Sequence, residues 1–143
     1  MTESPMTERR SRVRSPVVAG IVGVFAGGLT IFLLEAAGHA LFGTADPNDL
    51  STITAPMFAS VLVAWILGSA VAGWVATYWA RSTSLVLGTV VGLVLLAAAG
   101  SNMLVIPHPA WMIAGAVVLM PMAAVLGARA AAAREGAAGQ RAR

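Results

Sequence analysis

Glu35 and His39 are the first pair of side chains in this sequence whose types and spacing could support chemistry. Both lie in a long apolar stretch, where a charged side chain costs roughly 2.5–3.5 kcal/mol or more at the centre of a membrane helix. A separation of four residues places them on one face of a helix, one turn apart. We therefore expect a hydrogen bond between the carboxyl group and the imidazole, and both groups should face the interior of a bundle.

Asn102 and His108 complete a candidate polar cluster with this pair. Asn102 lies near the end of a later apolar stretch, and His108 follows it between two prolines. The cluster of Glu35, His39, Asn102 and His108 could relay protons or hold the helices in register through hydrogen bonds. Two imidazoles and a carboxylate could also bind a divalent metal ion, with Glu35, His39 and His108 as the candidate ligands. The sequence leaves these three interpretations open.

No catalytic residue is predicted. The chain contains no cysteine, which excludes thiolate nucleophiles, thiolate metal sites and disulfides. It also lacks the glycine-rich phosphate-binding loop, the Gly-x-Ser-x-Gly motif and the His-Glu-x-x-His motif. No cofactor is predicted either, and a divalent metal ion is the only candidate.

The composition determines which elements must position these residues. Hydrophobic residues make up 58% of the chain and charged residues only 10%, against roughly 25% charged in soluble domains. Four apolar stretches, at about 17–42, 56–80, 84–106 and 110–133, each have the roughly 20 residues that cross a bilayer. Spans must be helical because lipid offers the backbone no hydrogen-bond partner. The sequence therefore predicts an all-α four-helix transmembrane bundle over residues 17–133.

The segments outside the spans carry the positive charge. All nine basic residues are arginines, and they lie before the first span, between the second and third, or near the end of the fourth. This distribution predicts a flexible basic tail over 1–16, a second tail over 134–143, and both termini in the cytoplasm. Arginines at membrane edges and in tails do not indicate nucleic-acid binding. The predicted location is the bacterial cytoplasmic (inner) membrane.

Small residues recur at intervals of four within the stretches. Such spacing lets membrane helices approach closely and is typical of helix–helix contacts. Segment 33–38 is similar to 95–100, and 70–76 to 124–130, so the bundle could consist of two repeated helical hairpins. The glycines predicted to pack helices together are Gly23, Gly27, Gly73, Gly88, Gly92 and Gly127.

Two motifs in the chain resemble a family of small bacterial membrane proteins. The first is Glu35-Ala36-Ala37-Gly38-His39, and the second runs from Asn102 through Pro107-His108-Pro109-Ala110-Trp111. The similar proteins have four spans, a Glu-x-x-Gly-His motif in the first and an Asn-x4-Pro-His-Pro-x-Trp motif before the fourth. The resemblance covers about 17–133 and implies the same topology and the same cluster of site residues. It implies no activity.

Three functional hypotheses follow. The leading one is a non-enzymatic structural or accessory subunit, embedded in membrane lipid and assembled as a homo-oligomer or within a larger membrane complex. The alternative is a proton- or cation-coupled small transporter that uses the Glu/His cluster of the outer leaflet. The third is a metal-dependent membrane enzyme.

Overall fold

A computed structural model of the chain describes residues 15–46 and 49–141. It contains four α-helices, α1 (Pro16–Phe42), α2 (Ala55–Ala80), α3 (Val86–Val105) and α4 (Ala110–Arg141), and one 3-10 turn (Leu50–Thr52). The predicted all-α four-helix fold is confirmed. All four helices are long and apolar enough to cross a membrane, which supports a multi-pass membrane protein.

The helix bounds agree closely with the predicted spans except at the end of α4. Residues 134–141, predicted as a tail, continue α4 as helix. The chain at this point is rich in alanine, the residue with the highest helix propensity, so the helix extends beyond the apolar part of the sequence. Residues 1–14 of the predicted basic tail, and 142–143, lie outside the described residues.

Local sequence explains where the helices start and stop. Pro16 and Pro56 lie in the first turns of α1 and α2, where their missing N–H would have no partner in the helix. Arg81 ends α2 in the left-handed conformation, with φ 51°. The N–H of Ser82 then donates to the carbonyl oxygen of Thr77 over 3.3 Å, as in a Schellman motif. This tight ending makes α2 and α3 neighbours.

Helix α2 is the central element of the bundle. It packs against α1, α3 and α4, and α3 in turn packs against α1 and α4. Within the described residues α1 and α4 have no close backbone approach, so the helices form a rhombus with α1 and α4 at its far corners. We call the end with segments 43–46, 49–54 and 106–109 the loop end, and the end where α1 begins and α4 ends the terminal end.

All six glycines predicted to pack helices lie at helix–helix contacts. A Cβ atom at Gly27 would lie 2.6 Å from the Cβ of Ala72, and one at Gly92 would lie 2.7 Å from the Cβ of Ala124. Both distances are shorter than carbon atoms tolerate, so a larger side chain would separate the helices. The glycines lie in pairs at three helix contacts. The α1–α2 contact contains Gly23 and Gly27, and the α2–α4 contact contains Gly73 and Gly127. The α3–α4 contact contains Gly88 and Gly92.

Candidate functional site

Glu35 is anchored by a tryptophan from the neighbouring helix. The Nε1–H of Trp65 on α2 donates to Oε1 of Glu35 on α1 over 2.8 Å. Trp65 is only 3% exposed, and a buried indole N–H needs an acceptor. The hydrogen bond therefore fixes the direction of the carboxylate and joins α1 to α2 at membrane depth.

His108 covers this pair from the loop end. Its ring centroid lies 5.9 Å from that of Trp65 and 5.5 Å from that of Phe58. Its Nδ1 lies 2.6 Å from the carbonyl oxygen of Ile106. A carbonyl oxygen can only accept, so Nδ1 carries the proton and donates. In the neutral form of the ring, Nε2 is then the acceptor.

The four residues of the predicted polar cluster line one cavity of about 190 Å³ at the loop end. Glu35 and His39 contribute from α1, Asn102 from α3, and His108 from the segment before α4. The remaining wall is mostly apolar. It consists of Ala45, Ile53, Met57, Phe58, Val61 and Ile106.

The expected hydrogen bond between Glu35 and His39 does not form. The side chain of His39 is exposed, and the one hydrogen bond of Glu35 within the described residues goes to Trp65. The reason is competition: the exposed imidazole can bond with water, whereas the buried indole has no other acceptor. His39 and Asn102, which is also exposed, therefore belong to the mouth of the cavity, and Glu35 belongs to its floor.

The loop between α1 and α2 shapes one wall of the cavity through Ala45 and Ile53. The backbone N–H of Asp46 donates to Oγ1 of Thr52 over 2.9 Å. Further along, the hydroxyl and the N–H of Ser51 donate to Oδ1 of Asp49 over 2.6 and 3.0 Å. These two hydrogen bonds lower the pKa of the Asp49 carboxyl group below its ordinary value, and the bond from the hydroxyl has the larger effect. The turn therefore keeps both bonds until the pH falls below that ordinary value.

A second cavity, of about 240 Å³, lies on the other side of Glu35. It shares Glu35 and Asn102 with the first cavity and lies between α1 and α3. Its inner wall consists of the buried residues Trp65, Leu95, Ala99 and Met120, and its rim of Gly28, Ile31 and Ala98. The carboxylate of Glu35 thus lies between a cavity at the loop end and a cavity at membrane depth.

The geometry gives less support to a metal site than to a polar cavity. Across residues 15–46 and 49–141, no three His, Cys, Asp or Glu side chains come together in an arrangement that could hold a metal ion. The cavity at the loop end does contain Glu35, His39 and His108 in its lining. Binding of a divalent metal ion by these three residues stays a prediction.

Sequence reasoning missed two residues of the site, Trp65 and Phe58. A signal for Trp65 was present. It lies in the interior of a span, whereas Trp74, Trp79 and Trp111 lie nearer the ends of their helices, where membrane tryptophans usually occur. An indole N–H in the hydrocarbon region needs an acceptor, and Glu35 was the only carboxylate available within a span.

Comparison of the chain with protein-family models, with curated proteins and with solved structures finds no match. The resemblance of its two motifs to the four-span bacterial proteins therefore stays a prediction.

Proposed function

We propose that this protein is a small, non-enzymatic membrane protein that binds a cation or a proton at Glu35, as part of a cation- or proton-coupled transport process. The observation that carries the proposal is the cavity at the loop end, which brings an anchored carboxylate, two imidazoles and an amide into one lining. Apolar pockets with a few convergent polar groups are the usual form of a small-ligand site.

The charge distribution supports a positively charged ligand. Glu35 is the only acidic residue within the first three spans, and the sequence has no Lys or Arg between Arg14 and Arg81 or between Arg81 and Arg129. The first cationic residue of the fourth span, Arg129, lies in the second half of α4, toward the terminal end, so no Lys or Arg of the spans lies at the loop end beside the carboxylate. A carboxylate at membrane depth without a charged partner is costly, and a bound cation or proton would remove that cost.

We further infer that the terminal end faces the cytoplasm of a bacterium and that the cavity opens on the outer side of its inner membrane. The positive-inside rule supports this orientation, since in the sequence all nine arginines precede α1, follow α2, or lie in or after the second half of α4. The ligand would then come from outside the cell.

The absence of cysteine permits a direct test of this orientation. Thr44 at the loop end and Thr83 at the terminal end are both exposed residues of connecting segments, so single Thr→Cys variants make a matched pair. In spheroplasts, a membrane-impermeant maleimide should label Thr44→Cys and leave Thr83→Cys unlabelled until the membrane is permeabilised. The reverse pattern would contradict a cytoplasmic terminal end.

Binding itself is tested with tetramethylammonium, a compact cation that cannot lose its charge by deprotonation. We expect the full chain in lipid nanodiscs to bind it, and Glu35→Gln to weaken the affinity at least tenfold, or about 1.4 kcal/mol. Glu135→Gln is the control, because it removes a carboxylate from α4 beside Arg81, at the terminal end. Isothermal titration calorimetry measures all three proteins.

Two results would overturn the cation-binding proposal. One is equal affinity in the wild type and Glu35→Gln. The other is no binding of tetramethylammonium combined with no proton uptake, measured with a pH-sensitive dye inside vesicles that contain the protein. The structural or accessory role would then be the better hypothesis, and self-association or co-purification with a larger complex would be its measurement.

A further inference from the structure

We propose that the ligand of this site is an organic cation with an apolar tail, and that it reaches Glu35 from the bilayer, between α1 and α3. This inference rests on the proposed function and specifies its ligand and its route. It starts from the second cavity, which the proposed binding of a small cation or a proton does not involve.

The second cavity has the composition of a site for an apolar group beside a charge. Its lining contains one carboxylate, Glu35, and one amide, Asn102, and all its other members are apolar or aromatic. Trp65 lines the cavity while its N–H holds the carboxylate. A cationic head near Glu35 would gain from the charge and from the tryptophan ring, and a tail along Leu95 and Met120 would lie against apolar atoms.

The rim of this cavity lies at the depth of the lipid chains. Gly28 lies in the middle of α1 and Ala98 in the middle part of α3, and neither is near a connecting segment. Ala98 is exposed, and a Cβ atom added at Gly28 would meet nothing within 4 Å. The opening between these two residues therefore faces the bilayer, where amphiphilic cations accumulate because of their tails.

The dimensions of the two cavities favour a ligand that uses both. At about 190 and 240 Å³, each lies below the roughly 300 Å³ at which ligand pockets begin. They share Glu35 and Asn102, so a ligand with its head at Glu35 can extend a tail into the second cavity. A short cation would occupy only the cavity at the loop end.

The test compares tetramethylammonium with hexyltrimethylammonium, two cations with similar heads and different tails. Binding to the full chain in nanodiscs is measured by isothermal titration calorimetry, with titrations into empty nanodiscs subtracted. We expect hexyltrimethylammonium to bind at least tenfold more tightly, since each buried methylene contributes up to about fourfold. Glu35→Gln should weaken the binding of both cations.

Gly28→Leu places an apolar side chain at the rim of the second cavity, at a position where an added Cβ atom meets nothing within 4 Å, and is designed to narrow the opening. It should remove most of the advantage of hexyltrimethylammonium, at least about tenfold in affinity by the same methylene estimate. It should leave the affinity for tetramethylammonium within about twofold, because this cation does not reach the second cavity. Gly100→Leu is the matched control, since Gly100 also has nothing within 4 Å of an added Cβ and lines neither cavity.

The outcomes separate this inference from the proposed function. If neither cation binds the wild type, the organic-cation ligand is overturned, and the proposed function fails with it when proton uptake is also absent. If tetramethylammonium binds through Glu35 but the hexyl compound binds no better, only the apolar tail and the route from the bilayer are overturned. The same conclusion follows if Gly28→Leu and Gly100→Leu affect the hexyl compound equally. Thermal unfolding of both leucine variants verifies that each still folds.

Discussion

Replacing Gly73 with alanine is expected to destabilise the bundle by at least about 2 kcal/mol, within the range measured for overpacked cores. Gly73 is buried where α2 crosses α4, and a Cβ atom there would collide with the backbone carbonyl of Ala124. The obstacle is backbone rather than a flexible side chain, so the two helices must move apart to admit even one methyl group. Because α2 is the central helix, this displacement would disturb the whole bundle.

A matched control isolates the collision from the change of residue type. Gly100→Ala makes the same chemical change in α3, at a site with nothing within 4 Å of the added atom. Alanine has the higher helix propensity, by up to about 1 kcal/mol in water, so this variant should be neutral or slightly stabilised. Both are compared by reversible unfolding in mixed detergent micelles. Equal stability of the two variants would show that the α2–α4 contact is looser than described.

Trp65→Ala should destabilise the bundle at least as much as Gly73→Ala, by leaving a cavity instead of causing a collision. Trp65 is almost completely buried among α1, α2 and the segment before α4, and large-to-small changes of buried tryptophan cost about 3–5 kcal/mol through lost contacts and the cavity left behind. The change also removes the indole N–H that holds Glu35. We therefore expect a large loss of stability together with loss of the cation site.

The contribution of the hydrogen bond is measured by a double-mutant cycle. Trp65→Phe retains most of the ring and removes the donor, and Glu35→Leu retains an apolar side chain of similar bulk and removes the acceptor. Hydrogen bonds to charged groups contribute about 1.5–3 kcal/mol, so the two changes should be clearly non-additive in unfolding experiments. Strictly additive effects would mean that the two side chains do not interact, contrary to the 2.8 Å distance.

The membrane fold follows from the sequence because it depends on composition and length. With so few charged residues, most side chains can face lipid. Helices provide the backbone hydrogen bonds that lipid cannot, so four apolar stretches form four membrane helices. The short connection after Ala80 makes α2 and α3 neighbours, and glycines at intervals of four mark residues at helix contacts. The end of α4 was less predictable from hydrophobicity. The alanine-rich sequence after the apolar stretch favours helix, so α4 continues beyond the predicted span.

The arrangement inside the site depends on which helices are neighbours, and the sequence does not specify this. The periodicity around Glu35 places His39 on the same face, but it does not identify the helix opposite. The structure places α2 there, so the partner of Glu35 is Trp65, and His39 lies at the cavity mouth. The sequence could not predict the second cavity either, because the cavity depends on the distance between α1 and α3 near Gly28.

The uninterrupted course of α4 has a practical consequence for structure determination. Its 32 residues extend over about 48 Å at a rise of 1.5 Å per residue, whereas the hydrocarbon core is about 30 Å thick. The helix must therefore project from the membrane at one end, toward Arg141. A soluble helical protein spliced in register onto this projection would be held rigidly to the bundle. It would serve as a fiducial for imaging a 14.6 kDa chain that is too small to align by itself.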